Sequence, residues 1–247
     1  MKWTSIAAVA AGLVGSAAAQ AESEPYTDAE TGIVFQQYPS ADGIQFRVAL
    51  PGTIEASQPY DVILQIEAPK SVGWVGWAWA GQMTYNPLTV IWPNGDQVMH
   101  SSRMALCVLK GTGIKGDTLK FTALCKGCSS WTDFTGEPFT VDASQEARFA
   151  YAFSANPVAT PSDNATTFTI HDGVGHWYHD LPGAKSASFA DWVAKNTVGA
   201  APNGTAPGTN GTTVFSAARP RGAAAPLRFM ERVRRDLGAD ARNRNRN

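Results

Sequence analysis

The sequence predicts an all-β protein, a two-sheet antiparallel β-sandwich with one short helix near its C-terminal end. Three observations carry this. Between about residues 33 and 181 the chain runs in short apolar or alternating stretches, broken by Gly, Pro, Asn and Asp at turn-like intervals. Hydrophobic residues make up 44% of the 247 and charged residues 17%, enough apolar surface for a large core. Only residues 187–193, ASFADWV, carry a helical pattern.

The strands follow in order. Residues 43–50, GIQFRVAL, alternate and stop at Pro51-Gly52. Residues 60–67, YDVILQIE, alternate and end near Pro69, and residues 88–92, LTVIW, read as a buried strand stopped by the turn Pro93-Asn94-Gly95-Asp96. Residues 118–124, 147–153 and 166–171 supply three more strands. Their inner faces would pack against each other across the sandwich.

The ends have a different character. Residues 1–19, MKWTSIAAVAAGLVGSAAA, have a lysine, a short apolar run and a small-residue site, as a secretory signal does. Cleavage after Ala19 would leave Gln20 first. The run is shorter than the ~20 residues of a spanning helix, and no later segment is apolar enough to span, so a secreted, extracellular protein is expected. The folded domain is expected at 20–196, a Gly/Pro/Thr-rich linker at 197–218, and a disordered Arg-rich tail at 219–247. That tail has nine Arg against three acids, +6; the remainder has eleven Lys and Arg against eighteen acids, −7. An acidic body argues against a nucleic-acid surface. Asn164, Asn203 and Asn210 open glycosylation sequons. Cys107, Cys125 and Cys128 allow one disulfide and one free thiol, with the pairing open.

Few residues carry obvious chemistry. No Gly-X-Ser-X-Gly elbow occurs. Cys125-Lys-Gly-Cys128 has CxxC spacing, but Ser129 stands where covalent c-type haem attachment needs His. Three of the four histidines, His171, His176 and His179, fall within HDGVGHWYHDL; the fourth is His100. A zinc site needs three or four ligands, and on one strand His171 and His179 would share a face with His176 on the other. A copper oxidase of the lytic polysaccharide type needs an N-terminal His, where Gln20 is expected. Met83 lies between the run GWVGWAW and the strand at 88–92; methionine there is core filler or a soft metal ligand.

These segments, taken together, resemble a family. GWVGWAWAGQMTYNPLTVIWPNGDQV (73–98), Ser102-Arg103, CKGCSSW (125–131), ARFAYAFS (147–154) and HDGVGHWYHDLPGAKSASFADWV (171–193) are similar, in the same order, to the haem-binding cytochrome domain of fungal cellobiose dehydrogenases. The resemblance covers roughly residues 22–196. It implies an immunoglobulin-like, DOMON-related β-sandwich holding one non-covalent haem b between a Met and a His. Carried over, Met83 matches the axial Met, and Trp92 an aromatic residue beside the haem. His171, with Asp172, Gly175, Asp180 and Leu181, fits the frame of the axial His, with His176 as runner-up. Arg103 is a candidate partner for a haem propionate on charge alone.

A thioether and an imidazole on opposite faces leave haem iron no open position, which suits electron transfer, and Met ligation raises the potential. The resembled enzymes continue into a flavin domain; here a linker and basic tail follow, with no Gly-X-Gly-X-X-Gly fingerprint. The expectation is therefore a stand-alone, monomeric, secreted b-type cytochrome rather than an enzyme. It would pass single electrons between extracellular redox proteins, to a copper polysaccharide monooxygenase or ferric iron. The alternatives are a non-redox DOMON-type module binding haem or sugar, and a surface ferric reductase.

Overall fold

The computed structural model describes residues 22–198. The signal, most of the linker and the Arg-rich tail, with Asn203 and Asn210, lie outside the described residues. In chain order the strands are β1 (Glu24–Thr27), β2 (Val34–Pro39), β3 (Gln45–Pro51), β4 (Val62–Pro69), β5 (Trp74–Ala78), β6 (Leu88–Asn94), β7 (Gln97–Ser102), β8 (Leu106–Val108), β9 (Gly113–Lys115), β10 (Thr118–Cys125), β11 (Ser130–Thr132), β12 (Pro138–Thr140), β13 (Ala147–Ser154), β14 (Gly173–His179) and β15 (Lys185–Ser186). One helix, α1, spans Phe189–Asn196.

The strands form two sheets. The larger runs β1-β2-β3-β4-β10-β8, with β9 also on β10 and β15 on β3. The smaller runs β14-β13-β5-β6-β7, and β11-β12 form a separate hairpin. All pairings are antiparallel except the short β15–β3 contact. Alternate residues of each sheet meet in the main core: Phe46, Val48, Leu64, Ile66 and Phe121 from the larger, Val75, Trp77, Ile91, Phe149 and Trp177 from the smaller.

The larger sheet is buried on its outer face too. There Ile33, Phe35, Ala49, Ile63 and Leu124 pack with Phe189, Trp192 and Val193 of α1. Beside them runs a polar row: Arg47 donates to Gln37 across 2.6 Å, to Gln65, and to Glu67 across 2.8 Å. The Arg47 guanidinium lies 3.8 Å from the centre of the Tyr26 ring.

Two expectations need correction. Residues 166–171 are not a strand: their backbone serves the loop, with Ala159 N donating to Thr167 O and Thr166 N to Asp163 O, and Ile170 is 82% exposed. The strand starts two residues later, at Gly173, so the parity argument for His171 fails; His171 precedes the strand and shares the outer side with His176. Gly173 and Gly175 obscure this strand in the sequence, yet they are required there. A Cβ on Gly175 would enter the Tyr151 ring, and one on Gly173 the Phe153 ring. The helix begins at Phe189 and continues to Asn196, past the expected 187–193, because the buried Asn196 side chain ties its end to Thr31 O.

The cysteine pairing is Cys125–Cys128, and Cys107 is free and exposed. Register explains it: Cys107 is paired with Leu124, not Cys125, so it takes the opposite face of the sheet from Cys125.

Candidate functional site

The outer face of the smaller sheet builds the site. Trp74, Gly76 and Ala78 of β5 alternate outward, as do Leu88, Val90 and Trp92 of β6, Ala150 and Ala152 of β13, and Val174 and His176 of β14. Register aligns them in rows across the sheet. One row is His176–Ala150–Ala78–Leu88; the next is Val174–Ala152–Gly76–Val90; Ser154 and Trp74 begin a third. The middle of this face is therefore a floor of glycine and alanine, walled by larger apolar side chains.

Two connections close over the floor and leave a cavity of about 240 Å³. The β5–β6 connection brings Met83, and the residues before β14 bring Phe168 and His171; His176 adds a second imidazole. The two connections lie at opposite ends of the strands, and so at opposite ends of the stack of rows. His176 Nε2 donates to Gly81 O across 3.1 Å, tying the approach to Met83 to the His176 row. His171 is held at the Trp74 end: Asp172 accepts from Ser154 Oγ and Ala155 N, both at 2.8 Å, and Phe168 packs on Trp74 with ring centroids 5.1 Å apart. The two rows are four residues apart along β5 and β13, about 13 Å at the usual strand rise.

The groups fit a haem. The floor lacks side chains that would fill it: a Cβ on Gly76 would reach only ordinary contact, 3.5 Å from Trp74 and 3.7 Å from Val90. Met83 is 53% exposed in a loop rather than packed as filler. A thioether and an imidazole are haem-iron ligands. Hydrogen bonds from Ala155 N and then Ser154 Oγ, with a smaller contribution from the nearby His171, hold the Asp172 carboxyl below the usual carboxylate range. No zinc-like grouping of the histidines forms, since among the described residues no three His, Cys, Asp or Glu could share an ion. His179 instead points inward, where Trp177 Nε1 donates to its Nδ1 across 3.0 Å and burial pushes its pKa down to about 3. His100 is also lowered by burial, against the Phe121 ring.

Other expected site residues fall elsewhere. Trp92 is fully buried beside the cavity in the row of Trp74 and does not line it; it packs with Trp74, Val90, Met99 and Val158, and its Nε1 donates to Pro161 O across 2.9 Å. Arg103 does not line the cavity; its Nη1 donates to Met83 O and Asn86 O at 2.8 and 3.0 Å. Asn164 lies in the β13–β14 connection. The sequence reading missed the floor, Gly76, Ala78, Ala150 and Ala152. Its signal was there, as small residues at alternate positions of two neighbouring aromatic strands.

Comparison with known proteins places the chain. A family profile described as the cytochrome domain of cellobiose dehydrogenase matches residues 26–191. The chain is 27% identical over 203 residues to a pyrroloquinoline quinone-dependent pyranose dehydrogenase of Coprinopsis cinerea, covering 76% of this chain and 28% of that protein. It thus spans little more than a quarter of that relative's length. The crystal structure of the cytochrome b domain of pyranose dehydrogenase from Coprinopsis cinerea superimposes with a TM-score of 0.63 at 23% identity, over 70% of this chain and 95% of that one. The cytochrome domain of Myriococcum thermophilum cellobiose dehydrogenase gives 0.62 at 24% identity, over 72% and 98%. These two show a shared fold. The family profile spans about two thirds of the sequence, and on that match the chain belongs to the cytochrome domains of cellobiose dehydrogenase, a family that binds haem b and transfers electrons.

Proposed function

We propose that this chain is an exported one-electron carrier whose haem b is held between Met83 and His171. One observation carries the reading: a thioether and an imidazole reach a single apolar cavity from opposite ends of a floor of small residues. His176 shares the Met83 end, through Gly81 O, and is therefore the poorer candidate for the opposing ligand. When bound, the haem supplies a one-electron couple. Met83 and His171 would hold the group, and the chain would keep its surroundings apolar; a Met ligand would favour the reduced form.

The proposed partners are extracellular redox proteins or ferric iron, with a copper polysaccharide monooxygenase as one acceptor. Residues 1–19 would be a cleaved signal, and Asn164 a glycosylation site. No helix among the described residues is long and apolar enough to cross a membrane.

The test is an absorption spectrum of purified protein supplied with haem b, oxidised and reduced. A low-spin spectrum with a sharp reduced α band is expected, changing to high-spin in Met83→Leu and in His171→Ala. No Soret band at all would favour a non-haem binding module. A low-spin spectrum that survives His171→Ala and is lost in His176→Ala would move the ligand to His176.

A further inference from the structure

The loop bearing Met83 is not paired into either sheet. Residues 82–85 are exposed, and the turn into and through the loop has three left-handed residues: Ala80 (φ 52), Gly81 (φ 73) and Tyr85 (φ 65). Two of these carry a Cβ, for which that conformation is unfavourable. Something must hold such a backbone in one shape, and side chains do so through its carbonyls. His176 donates to Gly81 O, Asn86 Nδ2 to Gln82 O across 3.3 Å, and Arg103 Nη1 to both Met83 O and Asn86 O. From the β11–β12 hairpin, Trp131 Nε1 donates to Asn86 Oδ1 across 3.1 Å.

Arg103 has a distinct place in this set. Among the described residues it alone holds the carbonyl of Met83 itself. It is also anchored to the sheet, since its own N–H donates to Leu88 O across 3.0 Å, just past the end of β7. One residue therefore joins the rigid floor to the loop. A guanidinium bonded to carbonyls makes charge-assisted hydrogen bonds, stronger than neutral ones.

We propose that Arg103 is a positioning residue, holding the Met83 backbone so that the thioether reaches into the cavity, rather than a partner for a propionate. This rests on the reading of Met83 as an iron ligand. Without the clamp the loop would sample other backbone shapes, and the iron–sulfur bond would form only part of the time.

The experiment compares Arg103→Met, Arg103→Lys and Met83→Leu in the full chain loaded with haem b. Three quantities are read: the near-infrared charge-transfer band of Met-ligated ferric haem, the midpoint potential, and amide hydrogen exchange over residues 82–86. Arg103→Met should weaken the band, move the potential toward that of Met83→Leu, and speed exchange by about tenfold, the equivalent of one good hydrogen bond. Arg103→Lys should restore much of each, because both bonds come from one nitrogen and an ammonium carries three donors. If Arg103→Met only speeds haem loss, with band and exchange unchanged, the clamp is wrong and a propionate contact is right. If Met83→Leu keeps the band, the ligand reading itself falls, and the proposal with it. If Met83→Leu loses the band while Arg103→Met keeps it, only the clamp falls.

Discussion

His176 Nε2 and the Gly81 carbonyl meet across 3.1 Å, and this contact fixes which end of the cavity His176 serves. Gly81 lies two residues before Met83, so His176 supports the thioether side. His171 approaches from the Trp74 side, some four residues away along the floor strands. The proposed pair, Met83 and His171, thus enters the one cavity from its two ends.

His176→Ala should therefore keep a six-coordinate, low-spin haem spectrum. It removes one side chain-to-backbone hydrogen bond, worth about 0.5–1.5 kcal/mol. The cost should show as a slightly lower unfolding midpoint and faster exchange at residues 81–83. A high-spin spectrum in this variant would contradict the assignment of sides.

The floor gives a second prediction. Gly76 has ordinary backbone angles and room for a Cβ, so Gly76→Leu should fold. Its side chain would then stand in the cavity. Overfilling a packed site costs about 1–3 kcal/mol, which is roughly a tenfold to hundredfold loss of haem affinity. Haem titration followed at the Soret band measures this; circular dichroism without haem should match the parent protein.

Gly175 supplies the third. A Cβ there collides with the Tyr151 ring, which cannot swing away freely because its hydroxyl donates to Asp42 Oδ2 across 2.7 Å. Gly175→Ala should destabilise by about 1–3 kcal/mol, read from the urea midpoint. Gly113→Ala, where a Cβ meets nothing within 4 Å, is the matched control and should cost much less.

Much of the fold was legible because alternation survives where one face of a strand is clearly apolar. Residues 118–124 and 147–153 became β10 and β13 with one residue added at the C-terminal end of each. β14 was missed since its inward positions begin with Gly173 and Gly175, whose role is to admit the rings of Phe153 and Tyr151. That role depends on a neighbouring strand, which local sequence does not reveal. Met83 and His171 were legible through family resemblance, and both line the cavity. Trp92 shares the outer face with Val90 and the row of Trp74, but it packs against those side chains and Met99 rather than lining the cavity, which its neighbours decide and its residue type does not. Arg103 was read from its charge, whereas its contacts are to carbonyls of a loop twenty residues away.

An ionic cluster around the buried Asp28 on the far sheet gives the last prediction, on acid stability. Lys120 Nζ lies 3.2 Å from Asp28 and 3.0 Å from Glu30, and Lys115 lies 2.7 Å from Glu30. Burial pushes the Asp28 carboxyl upward, but hydrogen bonds from Thr31 and Gln65 and the Lys120 charge outweigh it and hold it below its ordinary 3.8. Glu30 is held below its ordinary 4.5, first by Lys115 and then by Lys120. A carboxylate depressed in the folded state adds stability that is fully present above its unfolded pKa and is lost as pH falls through the folded one. The loss should therefore come below about pH 4, with little change from there to neutrality. Lys120 shifts the other way: burial lowers it, yet the bonds to Glu30 and Asp28 win and raise it above 10.5. Its contribution is present below 10.5 and fades as pH rises through the folded value. Asp28→Asn should cost about 1–3 kcal/mol at pH 7, as removal of a buried hydrogen-bonded partner does. The gap from the parent should narrow as the parent protonates below pH 4. Thermal unfolding midpoints of the two proteins from pH 2 to 7 measure this, and a constant gap across the range would exclude Asp28 as the source of the acid limb.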